Sequence, residues 1–201
     1  MLRAALDDGH ERAVWVDADV LVFDPAVVSL DVPAGFGAVG EAWVTAGRTL
    51  SLVCNAVLSV TDGAWLDDVL AETERRHAEG LHERALGPDL FTALHRSRPF
   101  DLLDGWGVLS PIVVADVAAG GGPACDAQAR AQPVLGAVNL CASMADDDAV
   151  WDRAVGQLTS SGSWPLARNA SLHASHTGSF FGSRVGTNTA PQSASNGVPR
   201  T

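Results

Sequence analysis

The chain has 201 residues, with 24 acidic against 13 basic side chains and a formal net charge of −11. Its 47% hydrophobic content is enough for one folded domain and too high for a disordered chain. Every basic side chain is Arg, and the acidic balance excludes a general nucleic-acid binder, which needs a basic footprint to displace counterions from phosphates.

The elements follow in chain order. Leu2 to Leu6 has the composition of a last helical turn, and Gly9 supplies its stop. Ala13-Val14-Trp15-Val16 predicts a short buried strand that ends at Asp17-Ala18-Asp19. Val20-Leu21-Val22-Phe23 continues the apolar run until Asp24-Pro25 breaks it. Strands are expected over 39–44 and 51–60. Asp62 caps a helix that runs through Trp65, Leu66, Val69 and Leu70 to Ala78, with Gly80 beyond. Gly87-Pro88 opens a helix over 89–96, where proline's missing donor does no harm. The segments 106–114 and 133–140 predict strands, 146–158 predicts a helix, and Gly120-Gly121-Gly122-Pro123 predicts a loop. This alternation describes an α/β domain over 1–174. From about Ser175 the composition shifts to Ser, Gly, Thr, Asn and Pro, which predicts a flexible tail over 175–201.

No segment approaches the roughly 18–20 uninterrupted apolar residues of a membrane span. The richest run, 108–119, is broken by Pro111 and Asp116, and the N-terminus turns acidic at Asp7-Asp8, unlike a signal peptide. Cys54, Cys125 and Cys141 are odd in number and contain no CxxC pair. That usage argues against a disulfide framework or paired zinc ligands and predicts a reducing, cytoplasmic setting.

The segment that carries most chemistry is Ala13 to Val22, in which two carboxylates, Asp17 and Asp19, follow a hydrophobic strand with one small residue between them. In an extended chain, side chains two apart face the same way, so both converge on one cation. Oxygen-only ligands suit Mg²⁺ or Mn²⁺, which keep positions for water and substrate phosphates. The alternative is that both residues start a turn and cap backbone groups.

The same segment resembles the strand-to-loop DXD signature of nucleotide-sugar-dependent glycosyltransferases with a GT-A fold. It is most similar to the sugar-binding DXD group that includes the alpha-1,4-glycosyltransferases and the initiating mannosyltransferases. The order of helix, strand, Asp-x-Asp, apolar segment and Pro matches Leu2 to Leu6, Val14 to Asp19 and Asp24-Pro25. Downstream, Cys54-Asn55-Ala56-Val57-Leu58-Ser59, Gly87-Pro88-Asp89-Leu90-Phe91-Thr92 and Val108-Leu109-Ser110-Pro111-Ile112 resemble later segments of the group. The resemblance implies a mixed sheet flanked by helices, incomplete at the N-terminus because only 16 residues precede Asp17. It implies metal-dependent transfer of a sugar from a nucleoside-diphosphate sugar to a glycan or other hydroxyl acceptor, with retention. In that reading Asp19 ligates Mn²⁺ or Mg²⁺, and Asp17 touches the ribose or a metal-bound water. Asn55 contacts donor or acceptor hydroxyls, and Asp89 hydrogen-bonds a sugar hydroxyl.

One departure stands out. Asn139, in Gly136-Ala137-Val138-Asn139-Leu140-Cys141, occupies the position of an expected His. An amide oxygen can ligate a hard cation or bond a phosphate, but it cannot titrate near neutral pH. His173 and His176 come later and are candidates to replace it. Trp15 and Trp106 read as core residues, Trp43 as a sugar-stacking candidate in a loop-rich segment, and Arg48 as a phosphate contact or a solvated side chain. The cluster Glu72 to Arg76 reads as an exposed helix face with paired charges. A phosphohydrolase of the haloacid-dehalogenase type also places Asp-x-Asp after a strand, but Leu21 stands where Thr or Val is needed and the chain has no Lys. The remaining alternative is a glycosyltransferase-like module that binds a sugar or partner without turnover.

Overall fold

The computed structural model describes residues 1–81, 83–141 and 147–166. The expected tail over 175–201, together with His173 and His176, lies outside them. The elements are α1 (Leu2–Asp7), β1 (Ala13–Val16), β2 (Val20–Val22), β3 (Phe36–Val44), β4 (Thr49–Val60), α2 (Ala64–Ala78), α3 (Glu83–Leu86) and α4 (Pro88–Ser97). They continue with β5 (Asp101–Leu102), β6 (Trp106–Val108), α5 (Pro111–Ala118), α6 (Pro123–Ala131), β7 (Ala137–Asn139) and α7 (Asp148–Ser161).

Two sheets result, and both are flanked by helices. One has the order β1-β4-β3-β5, antiparallel except for the parallel β3–β5 pair. The other has the order β2-β7-β6, with β2 antiparallel and β6 parallel to β7. The domain is therefore mixed α/β, as the alternation of elements predicts. Among the described residues no helix is long and apolar enough to cross a membrane.

Local chemistry accounts for the boundaries. α1 ends with Gly9 at φ +91°, and the N–H groups of Gly9 and His10 close back on the Leu6 and Ala5 carbonyls. That is the paired closure which favours glycine at this place. At the start of α2, the Asp62 carboxylate accepts the Ala64 N–H at 2.9 Å. Asp147 does the same for Ala149 ahead of α7, at 2.8 Å, and Gly162 stops that helix in the left-handed region.

The segment 106–114 is not one strand. β6 stops at Val108, Ser110 is extended, and Pro111 begins α5 at a position where proline lacks no needed donor. The Ser110 hydroxyl ties this corner to the Val44 carbonyl at 2.7 Å. The Gly-rich loop leads into α6, which was not expected. Its first turn is held by the Asp116 carboxylate, which accepts N–H groups of Ala124 and Cys125. The strand expected over 133–140 shortens to three residues.

α2 and α4 cover one face of the larger sheet through Phe36, Val53, Val60, Trp65, Leu90, Phe91 and Phe100. On the other face Val39 and Val57 meet Trp106, Val108 and Ala137 from the smaller sheet. α5 and α7 pack on the smaller sheet around Val113, Val117, Val138, Ala154 and Leu158. β1 is not buried as expected. It lies at the sheet edge, and Val14, Trp15 and Val16 are 38%, 38% and 47% exposed.

Gly136 sits where β2 leaves β7, and its carbonyl accepts the N–H groups of Phe23 (2.8 Å) and Asp24 (2.9 Å). A Cβ there would overlap the Asp24 carbonyl oxygen. Gly136→Ala is expected to lower stability in urea by about 1–3 kcal/mol, the range for forcing a methyl into packed structure. An unchanged midpoint would mean that the β2–β7 junction has room to spare.

Candidate functional site

The site forms where the chain crosses from one sheet to the other. Asp17 follows β1 directly, and its N–H donates to the Ala56 carbonyl at 2.8 Å, which carries the β1–β4 register one residue further. The chain then turns, with the Val20 N–H on the Asp17 carbonyl at 3.3 Å. Asp17-Ala18-Asp19 is thus a turn rather than the extended segment expected, so strand alternation does not set its side-chain directions. Asp19 joins the second sheet: its carbonyl accepts the Leu140 N–H at 3.1 Å, and Val20 pairs with Asn139.

Side chains fix both carboxylates. The Trp15 indole N–H donates to Asp17 Oδ1 at 2.7 Å, and Asn139 Nδ2 donates to Asp19 Oδ1 at 2.6 Å. Asn139 is buried, and its Oδ1 accepts the Cys141 N–H at 2.8 Å. Burial pushes the Asp17 carboxyl above its ordinary range, the Trp15 hydrogen bond opposes this, and the charge of Asp19 adds to it.

Asn55 borders the same turn. β4 runs opposite β3 up to Leu58↔Ala38 and resumes at Cys54↔Val39, so Asn55, Ala56 and Val57 have no partner in β3. Asn55 is half-buried within this irregularity and immediately precedes Ala56, the main-chain partner of Asp17. Glu41 was missed by the sequence reading. It lies in β3, within the strand expected over 39–44, and is only 6% exposed, two residues from the Val39 that faces Cys54. The signal was alternation along β3, which places Val39, Glu41 and Trp43 on one face.

Two thiols report how close these groups lie. Cys54 is pushed up to about 12, chiefly by burial and then by the charges of Glu41 and Asp17, against the opposing effect of the Ala56 and Asn55 N–H groups. Cys141 is likewise pushed up to about 12, by burial first and then by Cys54, Glu41, Asp19 and Asp17. Both thiols are therefore held toward the protonated form. Cys141 has φ +48°, the one left-handed non-glycine residue among those described.

The hard donors are the oxygens of Asp17 and Asp19. Among the described residues no group of three or more His, Cys, Asp or Glu side chains is placed to hold a metal. Such a donor set fits Mg²⁺ or Mn²⁺ only if ligand oxygens and water complete the shell, which is how these cations meet phosphates.

Asp89 is half-buried in the first turn of α4, the helix whose Thr92 Oγ1 accepts the Val53 N–H at 2.9 Å. Trp106 is a buried anchor whose indole donates to the Ser29 carbonyl. Trp43 packs against the apolar cluster between the sheets, and Arg48 is exposed in the β3–β4 turn. Trp15, read as a core residue, is instead the exposed partner of Asp17. Glu72 pairs with Arg75 and Arg76, as its helical spacing predicts.

No family model, curated protein or solved structure matches the chain.

Two measurements test the electrostatics. At pH 8, native Cys54 and Cys141 are expected to alkylate more than about tenfold slower than in urea, read by peptide mass spectrometry. Equal rates would mean that the thiols are not shielded. Because the folded state disfavours ionised Asp17, its charge costs stability above the carboxylate range and not below it. Asp17→Asn is therefore expected to raise the melting temperature at pH 7, with the gain shrinking as pH falls through that range.

Proposed function

We propose that the chain is a metal-dependent glycosyltransferase domain with a GT-A-like fold. It transfers a sugar from a nucleoside-diphosphate sugar to a glycan or other hydroxyl acceptor with retention, in a cytoplasmic setting. The observation that supports this best is the Asp17–Ala18–Asp19 turn, whose two carboxylates are each oriented by a side-chain N–H donor and flanked by Asn55. The ordered resemblance from Leu2 to Ser143 supplies the reaction class.

In this reading Asp19 and Asp17 would hold Mn²⁺ or Mg²⁺. When bound, the cation neutralises the charge that develops on the departing diphosphate. The bond from the anomeric carbon to the diphosphate oxygen breaks, a bond to the acceptor oxygen forms, and the hydroxyl proton leaves with the diphosphate. The chain's own part is orientation. The Trp15 indole holds one oxygen of the Asp17 carboxylate, and Asn55 would offer an amide for donor or acceptor hydroxyls. Asp89 would contact a sugar hydroxyl from the start of α4.

A second reading, binding without turnover, is favoured by Asn139: its side chain is already engaged by Asp19 and Cys141, and it cannot act as an imidazole.

Mn²⁺ together with a nucleoside-diphosphate sugar is expected to raise the melting temperature of the full chain by several degrees, and Asp19→Ala to abolish the shift. A panel of UDP- and GDP-sugars that leaves the melting temperature unchanged would overturn the proposal. A shift without transfer or hydrolysis would select the binding module.

A further inference from the structure

We infer that Asn139 is a positioning residue for Asp19 and not itself a cation ligand. The inference deepens the metal-site reading above and rests on it. The amide's orientation follows from its neighbours. A backbone N–H can only donate, so the atom 2.8 Å from the Cys141 nitrogen is the Asn139 oxygen. The Asn139 nitrogen then faces Asp19 Oδ1 at 2.6 Å, a short charge-assisted contact. With the side chain 6% exposed, neither end can turn outward without losing a partner.

The backbone holds both ends of this contact. Val20 pairs with Asn139 in the β2–β7 ladder, and the Leu140 N–H donates to the Asp19 carbonyl at 3.1 Å. The Asn139 carbonyl accepts the Leu109 N–H at 2.9 Å, which fixes β7 against the strand end beside it. Asn139 thus acts on the Asp19 carboxylate from a rigid strand, as partners of ligating carboxylates do in metal sites. The same oxygen holds Cys141 in its left-handed conformation, so the direction in which the chain leaves β7 is tied to the orientation of Asp19.

The test titrates the full chain with Mn²⁺ and reads the free ion by electron paramagnetic resonance. Asn139→Ala is expected to weaken Mn²⁺ binding about tenfold, the lower end of the range for such supporting partners. In an Asp19→Asn background the same substitution is expected to change affinity less than about twofold, because the group through which Asn139 acts is gone. Equal fold-losses in both backgrounds would make Asn139 an independent ligand and overturn the inference, as would unchanged binding in Asn139→Ala alone. Metal-free melting curves accompany each variant. If Asn139→Ala does not fold, Asn139→Ser takes its place in the same cycle. No Mn²⁺ binding by the wild-type chain would overturn the metal reading, and this inference with it.

Discussion

The structure depends on one turn whose two ends belong to different sheets. Asp17 is tied by its N–H to Ala56 in the larger sheet, and Asp19 by its carbonyl to Leu140 beside the smaller one. One residue, Ala18, separates these anchors, so neither sheet can shift along the other without breaking main-chain hydrogen bonds. The two carboxylates inherit that rigidity. Their side-chain donors, Trp15 and Asn139, come from opposite sides of the turn, one from the exposed edge strand and one from a buried strand end. Strand ends hold direction better than free loops, so the two carboxylates keep fixed orientations between the sheets.

The electrostatics oppose stability at the same place. Burial raises both thiols most; the charges of Glu41 and Asp17 add to it at Cys54, and those of Glu41, Asp19 and Asp17 at Cys141. The chain as a whole carries −11 and has no Lys to offset it. Apolar packing outweighs that cost in three clusters, among them the stacked and edge-on rings of Phe36, Trp65, Phe91 and Phe100.

Much of the local structure is legible in residue order. Gly9, Asp62 and Pro88 each mark a helix boundary through chemistry that acts within a few residues: a left-handed stop, an acceptor for a first-turn N–H, a missing donor at a harmless place. Ser110-Pro111 carried the same kind of signal for α5, but the apolar run around it, from Trp106 to Val114, has the look of a strand. Short apolar runs do not distinguish the two by periodicity. The first turn of α6 depends on Asp116, which lies in α5 eight residues before Ala124, beyond the reach of a local capping pattern.

The sequence by itself determined the class of fold, the extents of α1, α2 and α4 and the pairing of two carboxylates behind a strand, because these arise from side chains acting on nearby backbone. Only the tertiary structure decided that Asp17 and Asp19 sit in a turn between sheets, that β1 is an exposed edge, and that Glu41 belongs to the acidic group. It also set Asn139, 120 residues from Asp19 along the chain, 2.6 Å from it in space. Strand pairing brings such residues together, and the register of β2 on β7 is a long-range choice set by the packing of whole faces rather than by either segment alone.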